Sequence, residues 1–101
     1  MLEKTFKPAK LAQYNDDGIN AEIIIENDER SIRVISLDAH QKISTHTTEM
    51  VACVYVLEGE IEFTLDTEVY DLVRGEMIIV PAQTPHSLFA KEMSKMILIK
   101  L

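Results

Sequence analysis

The feature of this sequence that most limits its possible folds is a succession of short segments in which apolar residues alternate with polar ones. Alternation with a period of two is typical of β-strands that have one buried face. Nine short candidate strands follow one another, at 19–26, 31–37, 41–47, 51–57, 60–66, 68–73, 76–80, 87–90 and 95–101. Segments such as 31–37 and 60–66 alternate, whereas 51–57 is a nearly continuous apolar run, as expected for a strand buried on both faces. Because helical periodicity is almost absent, the pattern predicts an all-β sandwich or closed barrel.

Turn-forming residues separate these segments. The stretch 15–18 (NDDG) predicts a turn, since Asn, Asp and Gly tolerate positive φ angles. We predict a tight hairpin at Glu58-Gly59, and Pro81 should end the strand before it, because proline cannot donate to a β-ladder. Residues 10–14 are compatible with a short strand or with a helical turn. A chain of 101 residues is near the commonest domain size, so we expect one β-barrel domain over 1–101.

The charge of the chain argues against two classes of partner. The formal net charge is −7, and the lysines and arginines form no run. Nucleic acid binding needs a basic face, and so does attraction to an anionic membrane surface. We therefore expect neither nucleic acid nor membrane as a partner.

Cysteine usage and the first residues indicate the compartment. Cys53 is the only cysteine, so no disulfide can form within the chain. The start, 1–7 (MLEKTFK), lacks the apolar core of a signal peptide, and no apolar run approaches the ~20 residues that span a bilayer. We expect a cytoplasmic protein in which Cys53 is a small hydrophobic packing residue and not a nucleophile.

Two segments resemble the paired motifs of the cupin superfamily, G-x5-H-x-H-x3-4-E-x6-G and G-x5-P-x-G-x2-H-x3-N. Residues 54–60 (VYVLEGE) are similar to the end of the first motif, and 75–86 (GEMIIVPAQTPH) to the second. Counting along the motifs places His46 and His86 on histidine positions. The resemblance covers 40–90 and implies a double-stranded β-helix, a small jelly-roll barrel open at one end.

The chain departs from the cupin pattern at the metal ligands. Cupin metal sites usually use three histidines and one carboxylate, whereas here Thr48 stands at the second histidine and Ala52 at the glutamate. The resemblance therefore implies only His46 and His86 as metal ligands. Two imidazoles can hold Zn, Fe, Ni, Mn or Cu, but a catalytic zinc usually has three protein ligands. We expect one weakly held divalent transition metal or no cofactor.

Three further motif positions differ from the cupin pattern, and two other side chains lie near His46 in the sequence. His40 stands at the glycine that opens the first motif, Gln83 at the second glycine of the second motif and Ala90 at its asparagine. Glu49 can join the histidines only if the strand is irregular, because residues three apart on a strand face opposite ways. His40, roughly 20 Å from His46 along an extended strand, should be a surface or rim residue.

The resemblance and the strand alternation together predict a pocket. Thr48, Ala52 and Val54 share the face of His46, and Phe63 lies on the apolar face of the next strand. With His46 and His86 they would form an apolar pocket with two imidazoles, which suits a small, partly apolar ligand. We expect the imidazole nitrogens to lie within about 5 Å, the reach of a shared ion or water. The alternative is that both histidines and their neighbours only fill the barrel core.

Three functions remain open. The first is a small-molecule-binding or sensing cupin without a reaction. The second is a metal-dependent enzyme of isomerase or dioxygenase type with His46 and His86 as metal ligands, and the third is a structural or interaction protein. The missing ligands favour the first. Whether the chain is an enzyme is left undecided.

We also expect a homodimer. The segments 51–57, 97–99 and 23–25 are apolar on both faces, whereas a strand of a lone barrel needs only one apolar face. A second subunit would cover the outer face, with Tyr55 and Leu57 as candidate contacts, and the resemblance implies the same. The alternative is that residues 1–18 fold back over that face.

Overall fold

The computed structural model describes residues 4–101. A short 3-10 helix, Pro8–Lys10, precedes nine strands. The strands are β1 (Ile19–Asn27), β2 (Arg30–Leu37), β3 (Lys42–His46), β4 (Ala52–Glu58), β5 (Glu60–Leu65), β6 (Glu68–Val73), β7 (Met77–Val80), β8 (His86–Ala90) and β9 (Ser94–Lys100). Within this described part, no helix is long and apolar enough to cross a membrane.

The strands form two antiparallel sheets that pack face to face as a jelly roll. The first sheet has the order β1-β2-β9-β4-β7, and the second has the order β3-β8-β5-β6. Strands close in the chain are thus divided between layers, and β9 pairs with both β2 and β4. The all-β, jelly-roll prediction is confirmed, and every predicted strand coincides with an observed one to within one or two residues at either end.

The core lies between the two sheets and is filled by the inward-facing residues of each strand. Alternate residues of β4 and β5 are buried. In β5 this agrees with the period of two in the sequence, whereas the sequence of β4 is apolar on both faces. The buried cluster consists of Ile35, Leu37, Ala52, Val54, Val56, Ile61, Phe63, Leu72, Val80, Leu88, Ala90 and Met96. This layer of aliphatic side chains with one phenylalanine holds the strands that carry the site.

The predicted hairpin at Glu58-Gly59 is wrong. β4 and β5 lie in different sheets and do not pair, so the chain at Gly59 passes from one sheet to the other. Gly59 has φ +87°, and a Cβ there would overlap Ser94 Oγ and Met93 O. This crossing therefore requires a glycine, as a tight hairpin turn does. The glycine in the sequence cannot distinguish the two.

The segment before β1 lies against the outer face of the first sheet. Lys95, which is buried in β9, donates from Nζ to the carbonyl oxygens of Ala9 (2.8 Å) and Leu11 (2.9 Å). Tyr14 Oη donates to Glu58 Oε2 at 2.6 Å, and burial together with this bond raises the pKa of Tyr14 above its ordinary value. The segment thus covers part of the outer face within one chain.

Candidate functional site

His46 and His86 are brought together at one end of the second sheet. His46 is the last residue of β3, His86 is the first of β8, and the two are direct cross-strand partners. Their ring centroids are 4.2 Å apart and the rings are inclined by 57°. His86 is buried and His46 is exposed, so the pair lies at the rim of the barrel with one ring turned inward.

The hydrogen bonds of both rings fix their tautomers. Nδ1 of His46 lies 2.8 Å from the carbonyl oxygen of Ser44, and Nδ1 of His86 lies 2.9 Å from that of Thr84. A carbonyl oxygen can only accept, so each Nδ1 carries the proton. In the neutral rings each Nε2 then has a free lone pair. The two Nε2 atoms of the site can therefore each accept a hydrogen bond or ligate a metal ion.

An aromatic ring supports the inner histidine. Phe63 of β5 is fully buried, and its ring stacks on that of His86 with centroids 5.9 Å apart and planes inclined by 4°. Leu65, two residues further along β5, is the cross-strand partner of His86. Because one ring face lies on Phe63 and Nδ1 is bonded to the backbone, His86 is held in a single orientation.

Of the other predicted pocket residues, one lines a cavity and two are buried in the core. Thr48 lines an open cavity of about 380 Å³ beside Arg33 and Lys100. Its carbonyl oxygen accepts from Gln83 N at 2.7 Å, which ties the β3–β4 connection to the loop before β8. Ala52 and Val54 are buried core residues on the inner face of β4.

The donor set does not fit a catalytic metal centre. In residues 4–101 no group of three or more His, Cys, Asp or Glu side chains is placed to hold a metal ion. Glu49 is exposed on the β3–β4 connection and lines the cavity beside Thr48. His40 is exposed and stacks on Phe89 with centroids 6.0 Å apart. The two imidazoles alone fall short of the three protein ligands of a catalytic zinc.

At two positions where the cupin motifs have glycine, this chain has another residue but keeps a backbone conformation that glycine favours. His40 has φ +70° and Gln83 has φ +59°, both in the left-handed region. These residues stand at two of the four motif glycine positions, and Gly59 and Gly75 stand at the others. The local turns have therefore kept their shape although the residue type has changed.

Arg33 is the residue of this region that the sequence reasoning missed. It shares the face of β2 with Ile35 and Leu37, both of which are buried in the core. Its side chain is half-buried and lines the same cavity as Thr48. The sequence feature that could have identified Arg33 is its position on the same face of a predicted strand as Ile35 and Leu37.

The chain is similar to proteins of known structure over its whole length. A conserved protein of unknown function from Streptococcus pyogenes is 30% identical, with a TM-score of 0.92, and the match covers 100% of this chain and 89% of that chain. A cupin superfamily protein from Desulfitobacterium hafniense is 24% identical, also with a TM-score of 0.92, over 100% of this chain and 94% of that chain.

An RmlC-like cupin protein from Desulfovibrio desulfuricans is 25% identical, with a TM-score of 0.83, over 98% of this chain and 96% of that chain. No curated protein matches the chain in sequence. The family model described as a cupin domain matches residues 33–100, which include both histidines, Arg33 and all strands from β3 to β9. The chain therefore belongs to the cupin domain family.

Proposed function

We propose that this cupin binds a small molecule at the His46–His86 pair without transforming it. The carrying observation is that both rings donate Nδ1–H to backbone carbonyls, which leaves two Nε2 lone pairs on adjacent rings. Such a pair accepts two hydrogen bonds from one amino group or from the two hydroxyls of a diol. No carboxylate completes a metal centre in residues 4–101, and this favours recognition over catalysis.

A donor–acceptor comparison tests this proposal. Propylene glycol donates hydrogen bonds, whereas acetone of similar size only accepts them. In an NMR titration of isotope-labelled protein, propylene glycol should shift the ring nitrogens of His46 and His86, and acetone should not. The variant His46→Asn should weaken binding by about fivefold, the equivalent of one hydrogen bond.

The variant His40→Asn is the matched control, because His40 is an exposed histidine outside the pair. It should bind as the unchanged protein does. Equal shifts by the two solvents, or equal weakening by the two variants, would show that the pair does not recognise donors.

A metal-dependent cupin enzyme of isomerase or dioxygenase type is the second candidate. It is favoured by the Nδ1–H···O=C bonds, since metal-ligating histidines usually bond their other nitrogen in this way. Metal analysis of protein purified without a histidine tag distinguishes the two. A stoichiometric transition metal that is lost in His86→Asn supports the enzyme, and metal-free protein that takes up no added Zn²⁺ supports the binding module.

A further inference from the structure

The cavity that Thr48 lines has one wall made by the inner face of the first sheet. Ser31 of β2 and Ala52 of β4 are both cross-strand partners of Lys100 on β9. Because directly opposed residues share a face and Ala52 points into the core, Ser31 and Lys100 face inward too. Arg33 lies two residues after Ser31 and has the same orientation. The rim of the barrel thus carries a serine, an arginine and a lysine on one wall.

Within residues 4–101, Arg33 forms no ion pair with a carboxylate. Its Nη2 donates only to Ser31 Oγ, at 3.4 Å, and its buried Nε has no hydrogen-bond partner. Across the described residues, no carboxylate lies within 4.0 Å of Arg33 or of Lys100. A buried polar group without a protein partner is rare in proteins. Arg33 itself lines the cavity, so a ligand there would contact the exposed part of its side chain.

The chemistry of this wall selects a carboxylate. A guanidinium binds the two oxygens of a carboxylate through parallel N–H···O bonds, and Lys100 adds a second charge. Ser31 and Thr48 line the same cavity. The position opposite Lys100 is Ala52, where cupins usually have a glutamate, so the chain lacks the acidic side chain that would otherwise stand beside this lysine.

The opening of the cavity has the opposite charge. Four exposed carboxylates line it: Glu26, Asp28, Glu29 and Glu49. Their formal charge of −4 exceeds the +2 of Arg33 and Lys100, so a simple anion would be repelled on entry. A ligand with a positive group at its outer end would instead be attracted at both ends.

We propose that this cavity binds a small zwitterion, with its carboxylate on Arg33 and Lys100 and its ammonium group among the carboxylates at the opening. The ligand class is an amino-substituted carboxylic acid. The proposal does not depend on the histidine pair, because it is carried by a different wall of the barrel and by residues of β2 and β9.

Three molecules of equal chain length test it. δ-Aminovalerate carries both charges, valerate only the carboxylate and pentylamine only the ammonium group. Calorimetry should give the highest affinity for δ-aminovalerate, and NMR should place the shifted amides at Ser31, Arg33 and Thr48. Arg33→Met should weaken binding by about ten- to a hundredfold, the effect of losing charge-assisted hydrogen bonds.

Arg30→Met is the matched control, because Arg30 is an exposed arginine of the same strand that does not line the cavity. It removes the same charge and should leave the affinity unchanged. Arg33→Lys gives a second measurement if Arg33→Met does not fold: it keeps the charge but loses the paired bonds, and should weaken binding several-fold.

Three results would overturn the proposal. The first is that none of the three molecules binds at millimolar concentration. The second is that Arg33→Met and Arg33→Lys both bind δ-aminovalerate as tightly as the unchanged protein. The third is that valerate binds as tightly as δ-aminovalerate, which would mean that the carboxylates at the opening do not act on the ligand.

Discussion

Single residues in this chain show how a motif position can change its side chain and keep its backbone. His40 and Gln83 stand where the cupin motifs have glycine, and both adopt positive φ angles. A residue other than glycine pays a conformational cost of roughly 1–3 kcal/mol in this region. The motif glycines of the family are thus explained by backbone shape, and this chain accepts the strain.

Replacing Gln83 by glycine should relieve its backbone strain and stabilise the protein. We expect Gln83→Gly to raise the free energy of unfolding by about 1 kcal/mol, the relief of strain less the entropy cost of glycine in the unfolded chain. Urea unfolding measures the change. Gln83→Ala is the control: it removes the side chain but keeps the strained φ, so it should give no gain. A stabilisation by alanine equal to that by glycine would assign the effect to the side chain.

At the scale of strands, the crossing between sheets depends on Gly59. A side chain there would meet both a positive φ and the atoms of Ser94 and Met93, whereas Gly75, with φ +90°, has open space around it. We expect Gly75→Ala to cost about 1 kcal/mol from strain alone, and Gly59→Ala to cost about 3 kcal/mol or more from strain and overpacking together. Thermal or urea unfolding of both variants checks the difference.

Equal losses in the two variants would contradict this account, because the backbone strain is common to both and only the overlap with Ser94 distinguishes them. Any loss in Gly59→Ala beyond that of Gly75→Ala therefore measures the overlap. The pair separates conformational strain from packing at two glycines of one barrel.

Strand positions were predictable from the sequence, but the partners of each strand were not. The apolar run 51–57 and the alternation within 60–66 depend only on neighbours in the chain, and they located β4 and β5 correctly. Whether they pair with each other or with β9 and β8 is decided by contacts between residues far apart in the chain, from 21 positions for Leu65 and His86 to 48 for Ala52 and Lys100. Local sequence patterns do not contain this information. The hairpin prediction at Gly59 was wrong for this reason.

The histidines of the candidate site were predictable from the sequence, but Arg33 was not. The motif spacing located His46 and His86, and the structure places their rings side by side. Arg33 was missed because only the pairing of β2 with β9 shows that its face is the inner one. Val34 and Ser36, on the opposite face of β2, are also buried, and Ser36 Oγ donates to Gln13 O in the segment before β1.

For the whole molecule, the outer face of the first sheet carries an apolar row that crosses all five strands. Register places one residue of each strand side by side: Ile25, Ile32, Ile99, Cys53 and Ile79. The segment before β1 lies over the neighbouring part of the face and leaves the two ends of the row exposed. Of the two arrangements expected from the sequence, the fold-back thus accounts for only part of the apolar surface.

We propose that a second copy of the chain covers this outer row. Sedimentation equilibrium at micromolar concentration should give twice the 11.5 kDa of one chain. Ile79→Glu, at a side chain 61% exposed in the row, should return the mass to one chain, because a charge would be buried in the contact. Val69→Glu, at a side chain 58% exposed on the second sheet, should not. A single 11.5 kDa species in the unchanged protein would rule out the stable dimer.

The position of β9 has a consequence for how the protein is made. β9 leaves the ribosome after the other eight strands of the barrel, yet it occupies the middle of the first sheet, between β2 and β4. Until residues 94–100 emerge, β2 and β4 each have an unpaired edge, and Lys95 is not yet present to hold the segment before β1. Unpaired edges are sites of association in nascent chains. Synthesis of this barrel therefore leaves β2 and β4 without their shared partner until β9 is present.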